Sequence, residues 1–439
     1  MAKPSPLQAV KGMHDILPVG AKAFIDRAEH WLALRRAYSE WAEVHGYGYI
    51  ETPALEPTEL FKRTAGETSD VVSKEMYTFQ RADDGPSLSL RPEGSASVCR
   101  AVLQHGLAQA ASQAKLYYIC PMFRAESPQK GRYRQHTQFG AELFKESDPT
   151  ADAEVIAMLY GFYQRLGLSG IEVHLNSVGT DVCRPAYRDK LVAYLMQHEA
   201  SLSADSKTRL SLNPMRVLDS KAPEDQDIAD NAPVMIDHLD PESAEHFEGL
   251  KAALTALDIP YRINTRLVRG LDYYTRTAFE MICPTLDGAI KVIGGGGRYD
   301  GLVEQIGGPH TPAVGFGCGV ERLLLALESQ NITPGEEPKP TAFVCYFGDE
   351  DKMTAFQVLQ NLRSAGVRAE FSYQTRKLNK QLKAANNSGA RFAVLVGGDE
   401  GQRGEAVLKD LVAKDERPVA LGALASAILS APAANAPML

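Results

Sequence analysis

A chain of 439 residues with a formal net charge of −8, 44% hydrophobic and 23% charged residues has the composition of a soluble globular protein and excludes a disordered or fibrous one. Its length exceeds what one hydrophobic core ordinarily serves, so two or three domains are expected. The negative charge speaks against nonspecific coating of nucleic acid but leaves a local basic patch and RNA binding open, and the lack of a long apolar run or an apolar leader predicts a cytoplasmic protein with no membrane span.

Phe24, Ala28, Trp31, Leu34, Tyr38, Trp41 and Val44 fall at steps of three and four and predict an amphipathic helix over 21–45, ended by Gly46-Tyr47-Gly48. The run Tyr49-Ile50-Glu51-Thr52-Pro53 reads as a strand confined by its proline to a sheet edge or a strand end. An edge strand beside a long amphipathic helix suits a dimer surface. Two apolar runs, 116–124 and 137–144, flank a polar loop containing Arg132 and Arg134 and predict an antiparallel pair. Period two then puts Gln138, Gly140 and Glu142 on one face, with a ligand-sized gap at the glycine.

Residues 181–255 turn helical, with helices expected over 187–198 and 243–257 around a charged stretch from Asp219 to Asp230. Strand-like sequence resumes at Tyr261, so this region reads as an insertion within a domain spanning 1–328. Residues 329–340 read as a linker. A separate α/β domain is expected over 341–432, with strands near 342–347, 368–373 and 392–396, helices over 351–364 and 376–387, a hairpin-like stretch at 406–412 and a final helix. The six cysteines are scattered, without a Cys-x-x-Cys pair, and read as reduced thiols.

Two distant stretches each resemble half of one site. The first is Arg91-Pro92-Glu93-Gly94 with Phe123-Arg124-Ala125-Glu126-Ser127-Pro128-Gln129-Lys130-Gly131-Arg132-Tyr133-Arg134-Gln135. The second is Arg269-Gly270-Leu271-Asp272-Tyr273-Tyr274, followed by Gly295-Gly296-Gly297-Arg298-Tyr299-Asp300-Gly301 and Gly315-Phe316-Gly317-Cys318-Gly319-Val320-Glu321-Arg322. Glycines that admit a close backbone and guanidinium groups that grip phosphate suit a polyphosphate nucleotide, and ATP is the expected ligand. Neither Gly-x-x-x-x-Gly-Lys-Ser/Thr nor a complete Gly-x-Gly-x-x-Gly occurs, so neither a P-loop nor a dinucleotide fold is supported.

Each element also has a plainer explanation. The glycines at 294–297 fit a turn between strands. Arg124, at the end of an apolar strand, needs an anion or else a salt bridge to Glu93 or Glu142. Arg322 stands in the first turn of an apolar helix, where it makes an anion site or is simply solvated. Tyr273 and Tyr274 fit a core, though Arg269 beside them fits it less well.

From Lys11-Gly12-Met13-His14-Asp15 to the last helix, with Leu267-Val268-Arg269-Gly270-Leu271-Asp272-Tyr273-Tyr274 as the most specific segment, the chain resembles the bacterial-type histidyl-tRNA synthetases, a class II synthetase family. The resemblance implies an α+β fold: an antiparallel sheet of six to seven strands flanked by helices, a helical insertion and a C-terminal anticodon-binding α/β domain. It also implies a homodimer, ATP with Mg²⁺, and L-histidine and tRNA-His as substrates.

By the same resemblance Glu93, Ser95 and Gln138 hold the histidine α-ammonium group, and Glu142 and Tyr274 bracket the imidazole with Tyr273 and Tyr299 lining the pocket. Arg124 and Glu126 bind ATP, Arg322 its distal phosphates and adenine face, and Arg269 the reacting carboxylate and α-phosphate. Gln129, Lys130, Arg132 and Arg134 reach the tRNA acceptor stem. No residue is assigned to the metal. Ser95 stands where many relatives have threonine, and Ser127 where many bacterial ones have arginine. A histidine-sensing regulatory paralogue of ATP phosphoribosyltransferase is the rival; such proteins lack the C-terminal domain and erode the arginines, and this chain has both.

Overall fold

The computed structural model describes residues 7–432 apart from Val19, Glu67, Thr68, Asp70, Arg81, Asp83, Asp84, Ala111, Ser112 and Thr375; the first six residues of the expected first domain lie outside it. The chain divides into two compact units, Met1–Glu336 and Glu337–Leu439.

The first unit is built on a sheet of eight strands in the order Gly48–Tyr49, Ala114–Phe123, Gln135–Phe144, Ala313–Gly319, Val292–Arg298, Thr275–Ile282, Glu172–Ser177, Tyr261–Ile263. All the inner pairs are antiparallel, and the short edge strands Gly48–Tyr49 and Tyr261–Ile263 pair in parallel. The sheet is thus wider than the six to seven strands expected, because two very short segments extend its edges. The pleat sorts the strand Gln135–Phe144 as period two requires. Phe139, Ala141 and Leu143 join the main core on the face covered by helices Ala28–Val44, Pro149–Arg165 and Pro241–Ala256, leaving Gln138, Gly140 and Glu142 to the other face.

Helix Pro149–Arg165 begins where its sequence directs: the Asp148 carboxylate accepts from the Thr150 amide at 2.9 Å, and Pro149 takes the first helical position. Its Val155, Ile156, Leu159, Phe162 and Tyr163 pack into the main core. The first long helix starts later than its periodicity predicts, at Ala28 and not near 21. The cause is a backbone bridge in which Leu17 donates to Asp26 at 2.7 Å and Ala28 donates to Leu17 at 3.0 Å. That bridge holds Arg27 extended and leaves only a 3₁₀ turn, Phe24–Asp26, before it. The strand expected over 49–53 shrinks to Gly48–Tyr49 for a similar reason. Beyond it, buried Arg91 donates to the Thr52 carbonyl and, through Nε, to that of Pro121 at 2.9 Å, drawing the chain off the sheet edge.

The glycines 294–297 lie inside the strand Val292–Arg298 and not in a turn. A Cβ at Gly296 would collide with the Gly315 carbonyl on the neighbouring strand, and Gly297 has φ +158° with Tyr274 packed against it. Between the strands Glu172–Ser177 and Tyr261–Ile263, helices Arg184–Gln197, Ala204–Leu212, Pro223–Asp230 and Pro241–Ala256 occur. The first three surround a small core of their own that includes Tyr187, Leu191 and Leu195.

The second unit holds a five-stranded sheet in the order Ala369–Phe371, Ala342–Tyr346, Phe392–Val396, Glu405–Asp410, Asp415–Ala420. Its first three strands are parallel and the rest antiparallel. Helix Lys352–Ser364 contributes Val358, Leu359 and Leu362 to one core, and helix Leu378–Asn387 contributes Ala385 to another. All six cysteines are free and buried.

Candidate active site

A cavity of about 210 Å³ opens where the loop after Phe123, the glycine-rich strands and the start of helix Val320–Ser329 converge. Arg124, Arg132, Arg269 and Arg322 stand in its wall. Arg124 follows the last strand residue, donates through Nε to the Pro92 carbonyl at 2.9 Å, and forms no ion pair among the described residues. Neither Glu93 nor Glu142 pairs with it, although Arg124 acts on Glu93 through space. Arg322, in the first turn of its helix, donates among the described residues only to the carbonyls of Gly131 and Val292, both at 3.0 Å. Burial and then the neighbouring Arg132 and Arg124 lower its pKa, and Glu126 offsets this only in part, as expected where cations outnumber anions.

Arg269 lines the same cavity. Its Nη1 donates to Glu280 at 2.9 Å, its guanidinium lies 5.3 Å from the Tyr274 ring centroid, and its buried Nε has no hydrogen-bond partner among the described residues. A Cβ on Gly295 would lie 2.8 Å from Nη1, so the glycine strand leaves the space this arginine fills. His136 also lines the cavity; burial, then Arg124 and Arg322, push its pKa down to about 3, so it is neutral at pH 7. Glu321 accepts from the Thr137 amide at 2.7 Å through Oε1, while its buried Oε2 has no partner among the described residues. Burial pushes its pKa up to about 8.

Gln138 reaches the same cavity, and a Cβ at Gly317 would strike its amide. Further along the strand the face closes. Glu142 is fully buried; Ser95 donates to its Oε1 at 2.7 Å, Tyr299 donates to its Oε2, and Gly315 makes room for it. Burial is the main reason its pKa rises to about 8, and Glu93 adds to it. Glu93 accepts from the amides of Ser95 and Ala96 at 2.6 and 2.9 Å and so satisfies the start of helix Ser95–Gln104. Tyr273 donates to Glu93 at 3.5 Å and sits 5.7 Å, centroid to centroid, from Tyr299.

The sequence-derived residues thus fall into three places. Arg124, Glu126, Gln138, Arg269 and Arg322 share the open cavity. Glu93, Ser95, Glu142, Tyr273 and Tyr299 form a buried hydrogen-bonded cluster beside it, and Tyr274 packs between Arg269 and that cluster. The gap expected at Gly140 is occupied by the Tyr118 ring from the facing strand. The loop residues separate: Gln129 and Lys130 are exposed, Arg132 turns into the cavity 3.3 Å from Glu126, and Arg134 donates to the Glu126 and Lys11 carbonyls.

Arg91 and Arg298, parts of the same motifs, serve structure. Arg298 is fully buried on Asp152 and Asp300. Sequence reasoning passed over His136, Glu280 and Glu321. The first two carried a signal, since His136 shares the period-two face of Gln138 and Glu280 is an acid in an apolar strand. Glu321 had none beyond standing next to Arg322.

The family model described as Histidyl-tRNA synthetase matches residues 12–323, and that described as Anticodon binding domain matches 341–431. A histidine–tRNA ligase of Dehalococcoides mccartyi is 46% identical over 404 residues, covering 92% of this chain and 94% of that protein. One from Saccharopolyspora erythraea is 44% identical over 428 residues, covering 97% and 99%. Apo histidyl-tRNA synthetase from S. aureus superposes with a TM-score of 0.79 at 35% identity, over 96% of this chain and 100% of that one. With its arginine-walled cavity on such a sheet and this likeness along nearly its whole length, the chain belongs to the histidyl-tRNA synthetase family.

Proposed function

We propose that the protein is a histidine–tRNA ligase: it activates L-histidine with ATP and transfers the histidyl group to the 3′ end of tRNA-His. The observation that carries this is the convergence of Arg124, Arg269 and Arg322, with incomplete anionic partners, on one cavity with Gln138. Buried guanidinium groups are costly unless they meet an anion, and polyphosphate is the anion they suit.

In the first step the histidine carboxylate attacks the α-phosphorus of ATP. A bond forms between carboxylate oxygen and phosphorus, the bond from phosphorus to the bridging oxygen breaks, and pyrophosphate leaves. The carboxylate is already ionised at pH 7 and needs no general base, so catalysis is positioning and charge neutralisation. Arg124 holds the α-phosphate, Arg322 the distal phosphates and the adenine face, Arg269 the carboxylate and α-phosphate, and Glu126 belongs to the ATP side. Arg132, on the cavity wall, serves that side more readily than the acceptor stem.

The cluster of Glu93, Ser95, Glu142, Tyr273, Tyr274 and Tyr299 with Gln138 receives the histidine, its hydroxyls and carboxylates exchanging their mutual bonds for the α-ammonium and imidazole. A pocket that pairs both imidazole nitrogens discriminates by roughly 10⁴ to 10⁵ against analogues lacking them. In the second step the terminal 3′-hydroxyl attacks the adenylate carbonyl, AMP leaves, and its phosphate takes the proton. Gln129, Lys130 and Arg134 face the acceptor stem and the second unit reads the anticodon; the protein acts in the cytoplasm as a homodimer.

Among the described residues no three metal-ligating side chains cluster. Mg²⁺ bound mainly through phosphates requires only one or two carboxylates. Glu321, with a buried oxygen lacking a partner among the described residues, fits that need once it gives up its proton and would hold the ion, which would neutralise phosphate charge.

Amino-acid-dependent ATP/pyrophosphate exchange over all twenty amino acids without tRNA tests the assignment. Exchange with histidine alone is expected, and none with any amino acid would turn the assignment to the regulatory paralogue. Arg269→His should lower exchange by roughly 10²- to 10³-fold while leaving histidine binding nearly intact; equal losses in both would exclude the role.

A further inference from the structure

Packing alone does not fix the segment from Arg269 to Tyr274. One side of it borders a second cavity, of about 250 Å³, whose wall includes Arg184, Asn213, Arg216, Arg269 and Asp272. Its anchors are polar and come mostly from the helical region. Arg184, the first residue of helix Arg184–Gln197, donates to the Tyr274 carbonyl at 2.8 Å. Arg216 donates to the Arg269 carbonyl at 3.4 Å, and the Asn213 amide donates to the Asp272 carboxylate at 3.0 Å.

Asp272 joins one of these restraints, that from Asn213, to the body of the unit. Its amide donates to the Ala65 carbonyl at 3.4 Å, at the end of helix Thr58–Ala65. Its carboxylate fills the space beside Gly66, where φ is +83° and any Cβ would collide with it. Asp272 is absent from the wall of the arginine-lined cavity and shares only the second cavity with Arg269.

We infer that Asp272, wedged between Gly66 and Asn213, is a positioning residue for histidine activation, through which the helical region sets the placement of Arg269. The inference rests on the proposed adenylation. A hydrogen bond acting through Arg269 affects the transition state, where that arginine meets developing charge, more than the binding of either substrate.

Histidine-dependent pyrophosphate exchange by the full chain and four variants tests it. Asp272→Ala and Asn213→Ala should each lower kcat by about tenfold, the scale of a modest misplacement, with the KM values for histidine and ATP and the melting temperature essentially unchanged. Asp272→Asn keeps an acceptor for Asn213 and should restore kcat. The double variant Asp272→Ala/Asn213→Ala should be no worse than Asp272→Ala, because both remove one link. Additive losses, rises in KM in place of falls in kcat, or wild-type kinetics in Asn213→Ala would each overturn the role, and the last decides it even should Asp272→Ala fail to fold. No exchange by the wild-type protein would instead overturn the adenylation itself, and the positioning role with it.

Discussion

Glu142 and Glu321 are the residues whose ionisation the fold disturbs most tellingly. Burial raises both to about 8 from an ordinary 4.5. A carboxyl with a raised folded pKa keeps its proton after the unfolded chain has lost it, so the stability it contributes is full below about 4.5 and is lost as pH climbs towards 8. His136, lowered to about 3, acts in the opposite sense: its contribution is present above about 6.5 and is lost as pH falls towards 3. Between pH 6.5 and 8 the two glutamates act in the same direction. The ligand-free protein should therefore lose about 3 kcal/mol of unfolding free energy across that window, read by urea denaturation at several pH values. Glu142→Gln should flatten part of the slope and raise the KM for histidine. A wild-type profile already flat there would mean that both carboxyls are ionised in the empty site.

The glycine strands act as elements because what they omit decides what their neighbours reach. Gly317 clears the Gln138 amide, the mobile end of a side chain, whereas Gly296 faces the Gly315 carbonyl and Phe316 Cα, which are backbone. Gly317→Ala should consequently fold almost normally but expel Gln138 and raise the histidine KM. Gly296→Ala should separate two paired strands and cost about 1–3 kcal/mol, as overpacking does. Thermal melts of both proteins, with histidine kinetics on Gly317→Ala, check the contrast; a larger stability loss in Gly317→Ala would show that Gln138 is held rigidly. The alternation that put Gln138 and Glu142 on one face was legible in the strand itself. That Tyr118 fills the place opposite Gly140 was not, because it follows from the register with another strand.

At the scale of the molecule each unit carries its own buried core, with Phe139, Phe162 and Phe279 in the first and Val344, Leu359 and Val394 in the second. A chain ending near residue 336 should therefore keep histidine-dependent exchange and lose most tRNA charging, measured on one preparation by both assays. Equal charging would remove the second unit from tRNA recognition. By itself the sequence determined the strand and helix periods, the glycine positions and the residue types of the chemistry, because these depend on neighbours along the chain. Only the tertiary structure decided which arginines are left for a ligand. Arg91 and Arg298 stand in motifs that look alike to those of Arg124 and Arg322, yet Arg298 is neutralised by Asp152 from a distant helix and Arg91 is satisfied by carbonyls of Thr52 and Pro121. The physical reason is that the availability of a charge is set by what is buried against it, and the sheet pairs Gly315 with Glu142 and Gly297 with Ala278, groups whose approach no local pattern encodes.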